Sequence, residues 1–360
     1  VVLIIGPWNY PLQLLFTPLV GAIAAGNCVV LKPSEVAPAT ATIMEKIIRE
    51  NFDEDYISLI PGDGAVVVPQ MMNNFRFDHV FYTGSTTVGK IIYKMAAEQL
   101  VPVTLELGGK SPCIVEDDAN IKVAARRISM TKFSNAGQMC VAPDFVLVHS
   151  SIKEKFVDAL KEATTKFFGE DASQSYNYGK IINEKQFDRL VGYLKDAKII
   201  YGGKHDRSNF YLEPTIIEGF STPGVYPERS RGTVKSDEIF GPILPIFTFE
   251  TFEQAKSIVD EHPNPLAFYV FTSSKKKESK WLESVAFGGS CVNNASWHLT
   301  NHNLPFGGRG NSGIGNYHGK NSFETFSHRK AVMKTPTWFD PNIKYPPFKG
   351  KLSLFKKIIR

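Results

Sequence analysis

Cysteine is scarce in this sequence. Four cysteines occur in 360 residues, and they lie far apart. They are too few and too scattered for a disulfide framework, and no two of them have the spacing of a zinc site. We therefore expect a reducing, cytoplasmic environment and no bound metal ion. The four are Cys28, Cys113, Cys140 and Cys291.

Charged residues are absent from the first 31 positions. An uncharged stretch of that length could cross a membrane. Prolines and glycines interrupt it, however, and divide it into a strand over residues 1–5, a helix over about 12–25 and a second strand over 28–31. Buried parts of an α/β core have this pattern. The sequence therefore predicts no transmembrane segment, and the lack of a charged leader predicts no signal peptide.

Net charge is also small over most of the chain. The formal net charge is +5, and six basic residues near the C-terminus contribute +6, so the other residues sum to −1. We therefore expect no nucleic-acid partner. The basic end leaves open a weak peripheral contact with acidic lipid headgroups. The six residues are Lys344, Lys349, Lys351, Lys356, Lys357 and Arg360.

The composition is that of a globular protein. Hydrophobic residues make up 43% and aromatic residues 12% of the chain, and 360 residues are enough for two domains. Strand and helix patterns alternate at the start, with an amphipathic helix over residues 40–50 and a strand over 57–60. Further helices are predicted over residues 152–168 and 186–194. This order predicts an α/β fold with a parallel sheet.

A single cysteine lies in a short turn between two apolar segments. Cys140 follows Gly137 and Gln138, which supply room and polarity for a thiol that meets a substrate. Free cysteine is also often a small buried hydrophobic residue. This stretch alone leaves both interpretations open.

Two other polar residues have positions that suit catalysis. Asn9 lies in a turn between two prolines, where its amide could donate a hydrogen bond to an oxyanion. Glu106 lies in an apolar run that ends in two glycines, and burial would raise its pKa into the range of a general base. Taken singly, Asn9 could be an ordinary turn residue and Glu106 an ion-paired carboxylate.

Two stretches have the layout of nucleotide-binding turns. Lys32 and Glu35 lie just past the carboxyl end of a buried strand, where open α/β sheets bind ligands, and both could contact a ribose. Residues 79–90 read as a strand, a glycine-containing turn and the start of a helix. Residues 84–90 fit G-x-x-x-x-G-K, but Ile91 occupies the position where a P-loop needs Ser or Thr. An unusual dinucleotide-binding turn is therefore favoured over a P-loop ATPase.

Seven short motifs follow one another along the chain. In this order they resemble the motifs of the aldehyde dehydrogenase superfamily, and the similarity spans nearly the whole chain. Residues 317–328, with the sequence YHGKNSFETFSH, look like the class 3 subgroup, whose members oxidise medium- and long-chain or aromatic aldehydes. The seven motifs are PWNYP at 7–11, KPSE at 32–35, TGS at 83–85, LELGGK at 105–110, GQMC at 137–140, EIFGP at 238–242 and PFGG at 305–308.

The resemblance implies a fold and an assembly. A Rossmann-like NAD(P)-binding domain would be joined to an α/β catalytic domain and a small β oligomerisation arm, and the chain would form a homodimer. The implied boundaries are residues 1–106 for the NAD(P)-binding domain, 107–304 for the catalytic domain, 305–335 for the return segment and arm, and 336–360 for the basic tail.

The resemblance also implies a role for each motif. Cys140 would be the nucleophile, Glu106 the base that activates water, and Asn9 the oxyanion donor. The reaction would pass through a thiohemiacetal and a thioester, and Glu106 argues against release of the acyl group by coenzyme A. NAD and NADP both remain open as cofactors. The implied cofactor-binding residues are Lys32 and Glu35 at the adenosine ribose, Gly84, Ser85, Thr86, Thr87, Val88 and Gly89 at the pyrophosphate, and Glu238 and Phe240 at the nicotinamide.

The chain departs from the family pattern in two places. The family normally has a helical segment ahead of the first strand, so the chain looks like an N-terminally truncated member. Residues 227–232, with the sequence PERSRG, have no counterpart in the pattern, and Lys235-Ser236-Asp237 replace the acidic or amide residues that usually precede Glu238. The alternative function is therefore a catalytically impaired relative that acts as a nucleotide-binding or dimerisation module.

Overall fold

The computed structural model describes residues 1–195, 197–219 and 238–358. The chain divides into two units, Val1–Ser327 and His328–Arg360. The unusual segment at residues 227–237 lies outside the described residues.

The first unit contains the strands and most of the helices. Its strands are β1 (Val2–Ile5), β2 (Val29–Lys32), β3 (Ile57–Leu59), β4 (His79–Thr83), β5 (Val103–Glu106), β6 (Pro112–Val115), β7 (Phe145–His149), β8 (Ile199–Tyr201), β9 (His205–Asp206), β10 (Tyr211–Leu212), β11 (Thr215–Glu218), β12 (Ile243–Phe249), β13 (Ala267–Phe271), β14 (Gly289–Val292) and β15 (Gly313–Ile314). Its helices are α1 (Gln13–Ala24), α2 (Pro38–Asn51), α3 (Gly64–Asn74), α4 (Thr86–Glu98), α5 (Ile121–Phe133), α6 (Lys153–Phe168), α7 (Glu184–Gly192), α8 (Phe252–Asp260), α9 (Lys275–Ser284) and α10 (Gly319–Thr325).

One sheet is built almost entirely from the first third of the chain. Its strand order is β15-β5-β4-β1-β2-β3, and all neighbours are parallel except β15, which is antiparallel to β5. β1 is buried along its whole length, which explains why its four residues are all apolar. The predicted parallel sheet is confirmed, and the uncharged N-terminal stretch supplies β1, α1 and most of β2.

A second sheet carries the remaining long strands. Its order is β14-β13-β6-β7-β12-β11-β8, and only β8 runs antiparallel to its neighbour. β6 is buried throughout and includes Cys113, whose side chain is therefore part of the core. The helix expected over residues 152–168 is α6, and the helix expected over 186–194 is α7, which begins two residues earlier.

The segment after β14 returns to the first sheet. β15 extends that sheet beyond β5, and Tyr317 packs edge-on against Phe81 of β4 with ring centroids 5.0 Å apart. Phe326 contacts the same ring at 5.9 Å, and Phe306 contacts Tyr317 at 5.8 Å. All four rings are buried. Residues more than 200 positions apart in the sequence thus complete one hydrophobic core.

The second unit contains a short helix, α11 (Leu352–Ile358), and a 3₁₀ turn over Asn342–Lys344. Past β15, the described residues include no strand, so the β arm expected over 305–335 stays a prediction. Across the described residues, every helix is too short or too polar to cross a membrane.

Candidate active site

A cavity of about 910 Å³ opens at the carboxyl ends of strands in the first sheet. Asn9 lies in the turn after β1, and Glu106 is the last residue of β5. Cys140 lies in the loop after α5. All three line this cavity, although 97 and 34 positions separate them along the chain. The three side chains that sequence patterns marked for catalysis are therefore brought together.

The loop before Cys140 has an unusual backbone. Asn135 and Ala136 both adopt the left-handed conformation, with φ values of 50° and 49°, and Gly137 continues it with φ 72°. A Cβ atom on Gly137 would lie 2.2 Å from the carbonyl oxygen of Gly241, so only glycine fits here. We call residues 134–140 the Cys140 loop. Its strained backbone can persist only because the surrounding contacts fix it.

Burial dominates the electrostatics of Cys140. Burial, followed by the negative charges of Glu238 and Glu106, raises the pKa of the thiol to about 12. Hydrogen bonds from the backbone N–H groups of Cys140 and Val141 oppose this shift because they favour the thiolate. The resting thiol is therefore protonated, and it reacts as a nucleophile only when a base or a positive charge comes close.

Glu106 is almost fully buried, with 3% of its surface exposed. Neither of its carboxylate oxygens has a hydrogen-bond partner among the described residues. Desolvation raises the pKa of this carboxyl well above its usual value. A carboxylate of this kind is a strong general base once it ionises.

The amide of Asn9 is held beside the Cys140 loop. Its Nδ2 donates to the carbonyl of Gln138 at 3.1 Å, and its own backbone carbonyl accepts from Asn135 Nδ2 at 3.1 Å. The side-chain amide has a second N–H, which leaves one donor for a ligand in the cavity. The arrangement suits a preorganised oxyanion donor.

Four of the six residues predicted for the pyrophosphate line the cavity: Gly84, Ser85, Thr86 and Thr87. Gly84 and Ser85 form the turn between β4 and α4, and Thr86 and Thr87 are the first residues of α4. Ser85 caps this helix by accepting from Val88 N at 3.3 Å. Val88 and Gly89 do not line the cavity. Val88 is 43% exposed, and a Cβ on Gly89 would lie 2.5 Å from Leu107 Cδ2, so this glycine serves close packing.

Lys32 and Glu35 form a separate group. Lys32 is 1% exposed, and its Nζ donates to Glu35 Oε2 at 3.0 Å. Both lie beside Gly64, the first residue of α3, whose ideal Cβ would be 3.6 Å from Glu35 Oε2. Neither residue lines the cavity. They thus lie at the carboxyl end of β2, beside the N-terminus of α3.

Glu238 and Phe240 both line the cavity. Glu238 Oε2 accepts from Gly109 N at 3.2 Å, and a Cβ on Gly108 would lie 1.8 Å from the same oxygen. Burial, followed by the negative charge of Asp144, raises the pKa of Glu238 to about 8. Phe240 meets the ring of Trp8 edge-on at 5.4 Å.

Comparison with known proteins identifies the family. The chain matches the model of the aldehyde dehydrogenase family over residues 1–332. The chain belongs to the aldehyde dehydrogenase family. Its activity is the NAD(P)-dependent oxidation of aldehydes, and a purely non-catalytic role is not favoured.

Individual relatives agree with this aldehyde dehydrogenase assignment. A 4,4′-diaponeurosporen-aldehyde dehydrogenase of Staphylococcus aureus is 44% identical over 361 residues, which cover 100% of this chain and 76% of that protein. A dog enzyme named aldehyde dehydrogenase, dimeric NADP-preferring, is 44% identical over 98% of this chain and 76% of its own length. The substrate-bound structure of Staphylococcus aureus AldH superposes with a TM-score of 0.93 at 44% identity, covering 100% of this chain and 77% of that one. The predicted α/β fold and the predicted family are confirmed.

Sequence patterns missed the residues that hold Glu238 and Phe240 in this aldehyde dehydrogenase. Arg189 of α7 donates from Nη2 to the carbonyl of Ile239 at 2.7 Å. Asp144 Oδ1 accepts from Ile239 N at 2.8 Å, and its other oxygen forms a buried ion pair with Lys110. Only Lys110 lies in a quoted motif, and nothing local in the sequence links the others to residues 238–240.

The site fits a dinucleotide cofactor on two grounds. Thr83 Oγ1 is buried without a hydrogen-bond partner among the described residues, and Thr83 lines the cavity. The N-terminus of α4 also faces the cavity through Ser85 and Thr86, and such a terminus presents N–H groups to phosphate. A bound nucleotide would satisfy these donors and the orphaned hydroxyl.

Proposed function

We propose that Cys140, Glu106 and Asn9 are the catalytic residues of this aldehyde dehydrogenase. The observation that supports the proposal is their convergence on one cavity, together with Glu238 and Phe240. The enzyme oxidises medium- or long-chain or aromatic aldehydes to carboxylic acids.

Bond formation starts at the sulfur. Cys140 releases its proton to solvent water, and Sγ then adds to the aldehyde carbon to give a thiohemiacetal oxyanion. The Asn9 amide and the backbone N–H of Cys140 donate to this oxygen. One preorganised donor of this type contributes about 3 to 4 kcal/mol to transition-state stabilisation.

Three groups of residues would hold the cofactor. Gly84, Ser85, Thr86 and Thr87 hold the pyrophosphate, while Glu238 and Phe240 hold the nicotinamide end. Lys32 and Glu35 would contact the adenosine ribose. Val88 and Gly89 stabilise the start of α4, Val88 through its backbone bond to Ser85 and Gly89 through its packing against Leu107. NAD(P)⁺, when bound, supplies a positively charged ring that accepts a hydride.

Glu106 completes the reaction. Oxidation leaves the acyl group on Cys140 as a thioester. Ionised Glu106 takes a proton from water, and the hydroxide adds to the thioester carbon. The C–S bond then breaks to release the acid, and the proton on Glu106 passes to the sulfur. Neither carboxylate oxygen has a hydrogen-bond partner among the described residues, which supports this role because no neighbouring donor there competes with an incoming water for the lone pairs.

Apolar substrates are supported by the walls of the cavity. Trp8, Leu14 and Phe240 contribute apolar surface to the cavity that Cys140 also lines. One relative is named for 4,4′-diaponeurosporen-aldehyde, and another is named as NADP-preferring. Either NAD or NADP is therefore proposed as cofactor.

At the level of assembly, we propose a homodimer, because one relative is named as dimeric. We propose a cytoplasmic location because the four cysteines are too few and too scattered for a disulfide framework. The proposed parts are an NAD(P)-binding domain at residues 1–106, a catalytic domain at 107–304, a return segment and arm at 305–335, and a tail at 336–360. The basic tail makes a weak peripheral contact with acidic membranes.

The test is replacement of the nucleophile. Cys140→Ala should lower kcat for hexanal oxidation by on the order of 10⁴-fold or more, because the covalent steps require the sulfur. NADH or NADPH formation measures the rate, and thermal stabilisation by the cofactor shows that the variant still folds and binds. Cys28→Ala is the matched control and should keep wild-type kcat, since Cys28 does not line the cavity. Turnover that survives in Cys140→Ala would refute the assignment.

A further inference from the structure

Asn135 links two catalytic segments that are distant in sequence. Its Nδ2 donates to the backbone carbonyl of Asn9 at 3.1 Å and to the carbonyl of Gln138 at 3.3 Å. Asn9 Nδ2 donates to the same Gln138 carbonyl at 3.1 Å. One carbonyl therefore accepts from both amides, and the turn after β1 is bonded to the Cys140 loop through Asn135.

The Cys140 loop is further fixed by Gln138, which is 3% exposed. Gln138 Nε2 donates to the carbonyls of Asn135 and Lys180 at 3.1 and 2.9 Å, and its Oε1 accepts from Ile182 N at 3.0 Å. These bonds hold the left-handed backbone of Asn135 and Ala136 in place. Asparagine tolerates that conformation better than other residues with a side chain, and its short amide can bond locally.

Asn135 itself does not line the cavity. We propose that Asn135 is a positioning residue that sets the Asn9 amide relative to Cys140, so that the oxyanion donor is preorganised before the aldehyde enters. This proposal rests on the proposed function, because it requires that Asn9 stabilise the oxyanion. Loss of the Asn135 amide removes the bond between the loop and the backbone of Asn9. The direct bond from Asn9 Nδ2 to the Gln138 carbonyl remains, but the Asn9 backbone is less restrained, so the donor has to be ordered in part during the reaction.

Two variants of Asn135 distinguish the contribution of its side-chain amide from that of its left-handed backbone conformation. Asn135→Gly keeps the left-handed backbone accessible and removes the side chain. Asn135→Asp keeps the shape of the side chain but puts an oxygen, which cannot donate, opposite two carbonyl oxygens. Each should lower kcat about 10- to 100-fold and change KM less than about threefold, because the lost interaction acts in the transition state.

The matched control is Ala136→Gly. Ala136 has the same left-handed backbone and no hydrogen-bonding side chain. This variant relieves the strain and should keep kcat within about twofold of wild type. A loss equal to that of Asn135→Gly would show that any change in the loop lowers activity, and the proposal would be wrong.

A double-mutant cycle with Asn9→Ala tests whether Asn135 acts through Asn9. If Asn135 acts through Asn9, the double variant Asn9→Ala/Asn135→Gly should be no slower than Asn9→Ala alone, within about threefold. The Asn135→Asp cycle gives the same test if the glycine variant does not fold. Losses that multiply would overturn the positioning role and leave the proposed function intact. Wild-type kcat in Asn9→Ala would instead refute the oxyanion role of Asn9, and the positioning role with it.

Discussion

Burial shifts the pKa values of the acids in the cavity in one direction. The Cys140 thiol and the carboxyls of Glu106 and Glu238 all titrate above their usual ranges, chiefly through desolvation. Each group therefore holds a proton at a pH where it would be ionised in water. Burial thus disfavours the ionised form of all three groups, and a ligand or a cation that alters their surroundings would favour it.

Glu238 gives a prediction about pH and stability. Its pKa is about 8 in the folded protein and 4.5 for an ordinary glutamate, so between these two pH values the folded state keeps a proton that the unfolded chain releases. Raising the pH through this window therefore destabilises the wild type, by up to about 1.4 kcal/mol per pH unit. Glu238→Gln does not titrate, so its free energy of unfolding relative to wild type should increase from pH 5 to pH 8.

Denaturant unfolding without cofactor at three pH values between 5 and 8 measures this difference. Glu98→Gln, on the exposed end of α4, is the control, and its difference from wild type should stay within about 0.5 kcal/mol at every pH. A pH-independent difference for Glu238→Gln would show that the Glu238 carboxyl is ionised in the folded protein throughout the window.

At the scale of elements, the sequence predicted the strands and motifs that depend on residues adjacent in the chain. The uncharged apolar runs that form β1 and most of β2 are stable only when buried, and Gly6 and Pro33 follow the two strands. The proposed catalytic residues were recognisable because each lies in a short motif. Arg189 and Asp144 were not predicted, because their role depends on contacts with Ile239 across 50 and 95 positions of the chain. β15 was missed because two residues give no strand pattern.

The return segment gives the prediction for this scale. Tyr317 is 2% exposed and lies between Phe81 and Phe306, and the neighbouring strand β15 pairs Gly313 with Glu106. Tyr317→Ala should lower the free energy of unfolding by about 3 to 5 kcal/mol, because it removes a buried ring and leaves a cavity.

Urea unfolding measures this loss. Phe323→Ala, on the exposed side of α10, is the matched control and should cost less than about 1 kcal/mol. Equal losses in the two variants would mean that Tyr317 is not a core residue and that the return segment is only loosely attached.

At the scale of the molecule, charge is divided unequally between the two units. Residues 328–360 contain nine Lys or Arg and one Asp, so the first 327 residues carry a net charge of −3. The second unit also exposes large apolar side chains, with Trp338 84%, Phe339 60% and Leu352 67% exposed. Exposed aromatic rings in a lysine-rich segment are typical of segments that bind the interface of an acidic membrane.

The last prediction concerns this tail. The full-length protein should sediment with vesicles that contain phosphatidylglycerol and not with vesicles of phosphatidylcholine alone. Each lysine near an anionic surface contributes about 1 kcal/mol, and salt screens this attraction, so binding should decrease as the ionic strength rises. Lys356→Glu/Lys357→Glu should reduce binding through charge, and Trp338→Ser/Phe339→Ser through loss of apolar burial. Tyr176→Ser, at a fully exposed ring in the first unit, should bind as wild type does. If the tail instead covers a second copy of the chain, Trp338→Ser/Phe339→Ser would shift the sedimentation velocity towards the monomer and leave vesicle binding unchanged, and the membrane assignment would be wrong.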